Sequence, residues 1–126
     1  MPINTKLVQF KLTVSLNNDN VPQFNYTDEA GIPALGSVVV SEPTTIRYSL
    51  VDETGKGLKI TGAAFTAPFN NVIDDVVVSA DGMSIELIDY DAATGKTGFR
   101  FVLSAVDTRL MILSPDPEVI NRGNEV

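Results

Sequence analysis

Val8, Phe10, Leu12, Val14 and Leu16 alternate without a break with Gln9, Lys11, Thr13 and Ser15, and a period of two puts every apolar side chain on one face of an extended strand. A helix would scatter the same residues around its axis. Ile46, Tyr48 and Leu50 repeat the pattern against Thr45, Arg47 and Ser49, and no stretch of ten or more residues carries a helical period. The chain is therefore expected to be all-β. Eight or nine short strands with turn residues between them fit an antiparallel two-sheet sandwich of the immunoglobulin-like kind.

Turn chemistry sets the expected registers. A loop at Asn18, Asp19 and Asn20 places Val14 against Phe24 and Leu12 against Tyr26, with Pro22 opening the second strand because it has no N–H for a ladder. A turn at Glu53, Thr54 and Gly55 pairs Ile46, Tyr48 and Leu50 with Gly62, Ile60 and Leu58. Asp81-Gly82 is a type I′ hairpin signal that sets Val78 against Ile85 and Val76 against Leu87. Turns at Ala93-Thr94-Gly95 and at Asp107-Thr108 then predict Leu87 opposite Phe101, Ile85 opposite Leu103, Tyr90 opposite Gly98, Leu103 opposite Ile112 and Ala105 opposite Leu110. The result is a four-strand meander over residues 75–114 in which Val76, Val78, Ile85, Leu87, Phe99, Phe101, Leu103 and Ile112 share one buried face. Residues 27–36 and 62–71 read as irregular connections between the sheets.

At 126 residues the chain suits a single domain, with a core over about residues 6–114 and a tail over 115–126. A domain of this length buries roughly two thirds of its unfolded surface, so it needs no staples. The sequence contains neither Cys nor His. That removes disulfides, thiolate zinc sites, the usual general base near neutral pH and every Ser-His or Cys-His arrangement. A formal charge of −7 is the wrong sign for neutralising phosphates, so neither nucleic acid nor membrane is an expected partner. The opening residues, from Met1-Pro2 to Lys6, lack the layout of a signal peptide, and the expected location is cytoplasmic.

Candidate sites are few. The hairpin register sets Asp74 opposite Asp89, with Asp91 two residues further along, and like charges across a ladder repel unless water or a cation screens them. Asp74, Asp89 and Asp91 are the metal candidates, for a weak calcium site built from hard oxygen ligands. Residues 89–100 do not form an EF-hand loop, since Thr94 and Arg100 stand where the glycine and the bidentate glutamate belong. A glycosidase could work from carboxylates alone, but no cleft-forming element is visible, so no enzyme activity and no catalytic residue is expected. Of the tyrosines, Tyr26 and Tyr48 fall in buried phase and Tyr90 in the outward one. On the outer face of the meander, Val77, Ile88 and Val102 form a possible partner patch.

The chain closes on a definite sequence rather than a low-complexity one. Pro115 and Pro117 stop the last strand and hold the backbone extended, and Val119 and Ile120 then need cover. That cover comes from the chain's own domain or a neighbouring subunit unless the end frays. With Glu42-Pro43 ahead of one strand and Asp116-Pro117 after the last, the chain resembles the DP-EP family of small bacterial proteins, named for those dipeptides. The run over residues 116–121 gives the likeness most of its specificity. The resemblance implies a bacterial β-sandwich domain with no established activity.

Together these features point to a non-enzymatic structural or protein-interaction module. It would form a homo-oligomer or bind a protein partner through a strand edge, the outer meander face, or the tail residues Asp116, Pro117, Glu118, Ile120 and Asn121. The alternative is a carbohydrate- or calcium-binding sandwich. No cofactor is expected beyond weakly held Ca2+.

Overall fold

The computed structural model describes residues 4–115 and 117–122. Its elements are β1 (Lys6–Leu16), β2 (Pro22–Asp28), β3 (Pro33–Ala34), β4 (Val38–Val40), β5 (Thr44–Asp52), β6 (Lys59–Phe65), β7 (Asp75–Val78), β8 (Ser84–Asp89), β9 (Gly95–Ser104), β10 (Met111–Leu113) and β11 (Glu118–Asn121). No helix occurs among the described residues, and none is therefore long and apolar enough to cross a membrane. Among the described residues the strands number eleven rather than eight or nine. The extra ones are two to four residues long, too short to show a period.

One sheet has six strands in the order β3-β2-β1-β5-β8-β7, and the other has five, with β9 pairing β6, β10 and β11 and with β4 added beyond β11. Both β6 and β10 pair with Val102, Leu103 and Ser104 of β9, so they flank it on opposite sides. Both sheets are mixed. β1 runs parallel to β5 over nine residue pairs, and β11 runs parallel to β4, while every other pair is antiparallel. The expectation of a wholly antiparallel sandwich is corrected here. Parallel neighbours need a long crossover instead of a tight turn, so no turn residue announces them.

The inward faces of the two sheets meet in one apolar core. Leu12, Val14, Ile46, Tyr48, Ile85 and Leu87 come from the first sheet, and Ile60, Phe99, Phe101, Leu103 and Val119 from the second, each at most 2 % exposed. Fully burying a side chain of this size contributes roughly 1.5–3 kcal/mol. Tyr48 lies at the centre, stacked on Phe10 at 5.2 Å between ring centroids and meeting the rings of Phe101 and Phe99 edge-on at 4.8 and 5.6 Å. Its hydroxyl donates to the Gly36 carbonyl, so the buried polar tip is satisfied. Gly36 has φ 79°, and a Cβ there would stand 3.1 Å from the Tyr26 ring, a close approach that only glycine permits.

Three of the five predicted registers hold. Val14 faces Phe24 and Leu12 faces Tyr26, with β2 beginning at Pro22. Val78 faces Ile85 and Val76 faces Leu87. Leu103 faces Ile112. The β7–β8 turn is nevertheless not type I′, because Gly82 alone takes a positive φ while the Asp81 carboxylate accepts from the Met83 amide and the Ser79 hydroxyl.

The other two registers are overturned. β5 pairs with β1 and β8, not with β6, and β8 pairs with β5 and β7, not with β9. Ile46 therefore faces Leu87 and not Gly62, while Phe101 faces Ala63 and not Leu87. Gly98 lies opposite Glu118 rather than Tyr90. The residues named for the meander face do turn toward the core, but they belong to two sheets. At the end of β5 and again at the end of β8 the chain crosses from one layer to the other. β6 also takes residues 62–65 out of the predicted irregular stretch, and β3 lies within the predicted 27–36 loop.

Candidate functional site

The three acidic candidates gather at the β8 end of the sandwich. β7 and β8 pair Asp75 with Ile88, which carries Asp74 to the position across from Asp89, and the Asp74 amide donates to the Ile88 carbonyl at 2.8 Å. Asp74 is exposed and its Oδ2 accepts from the Tyr90 amide at 2.7 Å. Asp89 closes β8 with its side chain turned inward, 0 % exposed. Asp91 follows in the left-handed region, φ 57°, which turns the chain toward the second sheet. Its amide donates to Asp89 Oδ1 at 2.8 Å.

The fourth participant comes from the tail. Asn121, 3 % exposed, sends Nδ2 to Asp89 Oδ1 at 3.0 Å, to the Ala93 carbonyl at 2.9 Å and to the Val72 carbonyl at 3.3 Å. Asp89 Oδ2, Asp91 Oδ1 and Asn121 Oδ1 are all buried and have no hydrogen-bond partner. Burial pushes the Asp89 carboxyl up to about 6. The Asp91 and Asn121 hydrogen bonds oppose that rise, and the nearby charges of Asp74 and Asp91 add to it. The ion pairs Arg47–Glu86 and Lys96–Glu118 lie elsewhere. Among the described residues, no three His, Cys, Asp or Glu side chains converge as a metal-holding group, so Asp74, Asp89 and Asp91 do not form a site by themselves. Asn121 joins Asp89 from 32 residues away, a distance over which the sequence offers no signal.

The remaining tail candidates are built into the second sheet. Asp116 lies outside the described residues. β10 and β11 meet successive stretches of β9 on the same side, since Ser114 hydrogen-bonds Phe101 and Pro117 hydrogen-bonds Phe99. Leu113 is opposite Val102, whereas Glu118 is opposite Gly98. Five steps along the tail thus match four along β9, a one-residue bulge at the two prolines. Ser114 bridges this break by donating its amide to the Phe101 carbonyl at 3.0 Å and accepting the Phe101 amide on Oγ at 2.7 Å. Pro117 is buried and its carbonyl accepts from the Phe99 amide.

β11 then fills an interior place between β9 and β4, with Val119 at 0 % exposure and the Glu118 amide donating to Ser37 Oγ. Pro117, Glu118, Ile120 and Asn121 therefore interact first with their own fold, and the core extends past residue 114 to Asn121. The other proline of the pair plays the matching part in the first sheet. Pro43 stands just ahead of β5, and its carbonyl accepts from the Lys6 amide where β1 begins its parallel run.

An apolar strand edge and a groove lie on the surface. β10 forms no pair on the side away from β9 among the described residues, and Leu110, Met111 and Leu113 are 76, 64 and 52 % exposed. A groove of about 540 Å³ is lined by Phe24, Tyr26, Pro33, Leu35, Pro115 and Pro117 among others, with no carboxylate in its wall. Tyr26 and Tyr48 are buried as expected and Tyr90 is exposed. Exposed Val77 and half-buried Ile88 lie on the outer side of the first sheet and half-buried Val102 on the second, so the three do not form the single patch expected of one meander face.

Fold and site together define an all-β, sandwich-like protein whose last strand is locked into its second sheet. The model of the DP-EP family matches residues 8–123, nearly the whole chain, and this protein belongs to the DP-EP family. No curated protein matches the chain.

Proposed function

We propose that this protein is a non-enzymatic structural or protein-interaction module on an immunoglobulin-like sandwich, and that it self-associates by pairing β10 with β10 of a second copy. The free edge of β10 carries this reading. A strand edge presents unpaired N–H and C=O groups that template another strand, and proteins blunt such edges with prolines, charges or very short strands. β3 begins with Pro33, β7 with Asp75 and β6 with Lys59. β10, though only three residues long, exposes Met111 and Leu113, with Leu110 just before it, whereas β4, the other apolar edge, exposes only Val39.

A two-fold axis through Ile112 sets Met111 of each copy against Leu113 of the other, a self-complementary contact of the kind closed dimers use. The −7 charge supports a protein partner over nucleic acid. Size-exclusion chromatography with light scattering tests the reading. The expected outcome is a dimer that Leu113→Lys converts to monomer without altering the circular dichroism. A wild-type monomer, or a dimer indifferent to Leu113→Lys, sinks it.

A further inference from the structure

The corner formed by Asp89, Asp91 and Asn121 has more acceptors than donors. Asn121 Nδ2 has two hydrogens and faces three oxygens, those of Asp89, Val72 and Ala93. The other ends of these side chains, Asp89 Oδ2, Asp91 Oδ1 and Asn121 Oδ1, are buried without a partner. An unpaired buried acceptor costs about 1–3 kcal/mol, and more when charged. The deficit spans three side chains from two strands and the turn after β8, linked through Asp89 Oδ1. Only one of the three, Asn121, is uncharged. It is also the one that enters from the tail, so the imbalance is not an effect of acidic residues crowding a turn.

An amide can turn over, exchanging its nitrogen and oxygen with little change of shape. With Asn121 turned, its Oδ1 would take the place of Nδ2, 2.9–3.3 Å from Asp89 Oδ1, Val72 O and Ala93 O. Four oxygens would then crowd together with no hydrogen between them, an arrangement that a cation lying among them relieves and a hydrogen bond cannot. We propose that Asp89, Asp91 and Asn121, with the main-chain carbonyls of Val72 and Ala93, bind a hard divalent cation, calcium above all. Carboxylate, amide and carbonyl oxygens in irregular geometry are what Ca2+ accepts, whereas Mg2+ demands near-ideal octahedral coordination and retains its waters. Binding there also cross-links the end of β8 to β11, so its signature is stability.

The test uses the full chain, stripped with EDTA, in thermal melts and isothermal titration with CaCl2 up to millimolar concentration. A ligand that binds only the folded state raises the melting temperature in proportion to the logarithm of its concentration over Kd. The expected result is a saturable heat and a rise of several degrees with Ca2+, a smaller rise with Mg2+, and loss of both with Asp91→Ala. Asp75→Ala, an exposed neighbour outside the site, keeps the full response. Should Asp91→Ala fail to fold, Asn121→Asp serves in its place, since an added charge must tighten Ca2+ binding. No heat and no shift in the wild type, or an equal shift in all variants, overturns the proposal.

Discussion

Asp52 and Asp89 hold matching places. Each is the last residue of a strand in the first sheet, β5 and β8, and each is followed by the segment that carries the chain to the second sheet. Their surroundings are opposite. Asp52 Oδ1 accepts from the Thr54 amide at 2.9 Å and the Thr54 hydroxyl at 2.6 Å, and Oδ2 accepts from the Leu58 amide at 2.9 Å. Partial burial works against its charge, but these donors hold its carboxyl below the ordinary value. Asp89 is fully buried, has one oxygen unpartnered and is raised to about 6. The first crossover is closed by its own loop. The second depends on Asn121, brought in from the far end of the described chain, and still lacks donors. A carboxylate that organises a turn is thus distinguished from one that awaits a ligand by its supply of donors, not by its position in the fold.

The second corner is most vulnerable at the tail. Truncation after Ser114 removes β11, the Val119 side chain and the amide that holds Asp89, and leaves β9 and β4 without their shared neighbour. Cooperative unfolding followed by circular dichroism should disappear. A truncated chain that still melts cooperatively would show that the second corner does not depend on β11.

Next in size is Asp52→Ala, which strips three donors of their acceptor and leaves the buried Leu58 amide unpaired. A loss of about 2 kcal/mol in urea denaturation is expected, whereas Asp89→Asn at pH 7.5 should be neutral or stabilising. Equal losses from both would erase the distinction.

The two corners should also respond to pH with opposite sign. A carboxyl raised in the folded state gives stability that is present below its unfolded value and lost as pH rises through about 6. Without divalent cations, the Asp89 term should therefore add about 1 kcal/mol between pH 7 and pH 5. Asp91, Asp74 and the Asn121 amide face that carboxyl and set the size of the effect. For Asp52, lowered in the folded state, the contribution is present above its unfolded value and lost as pH falls through its folded one. Denaturation across pH on the wild type, Asp89→Asn and Asp52→Ala separates the two terms. Smallest of all, at protein concentrations low enough for the wild type to be monomeric, Leu113→Lys should change stability by no more than about 0.5 kcal/mol, because β10 is an edge strand of the single chain.

Much of the fold was legible in the sequence because tight hairpins announce themselves. Asn17–Asn20, Asp81-Gly82 and the turn after Ser104 each connect strands that do pair. The errors share one physical cause. A period of two reveals which side chains face inward, but Tyr48 meets Phe99 and Phe101 across the core with the same parity it would have beside them in a ladder. Alternation therefore does not separate a hairpin from a crossover, and the turn-like residues after Asp52 and Asp89 belong to crossovers. Parallel pairs have no turn to betray them, which hid β1 beside β5 and β4 beside β11. At the site, the adjacency of Asp74 and Asp89 followed from hairpin arithmetic, whereas Asn121 enters through a parallel partner strand and a bulge, and neither leaves a mark in the spacing.

The place of β11 bears on the order of events during synthesis. Ser37 and Glu118, which hydrogen-bond beside the β4–β11 pair, are 81 residues apart, and contacts so distant in sequence form late and slowly. As the chain emerges from the ribosome, the β1–β2 hairpin and the β1–β5 pair can assemble early. The facing edges of β4 and β9 stay unpaired until β11 arrives. For that interval the nascent protein exposes an open slot between β4 and β9 whose shape fits a β-strand, and another chain's β11 would fit it as well as its own. Strand exchange between nascent copies is the failure this architecture invites, and the bulge at Pro115 and Pro117, which fixes the register of the incoming strand, helps restrict the slot to its proper occupant.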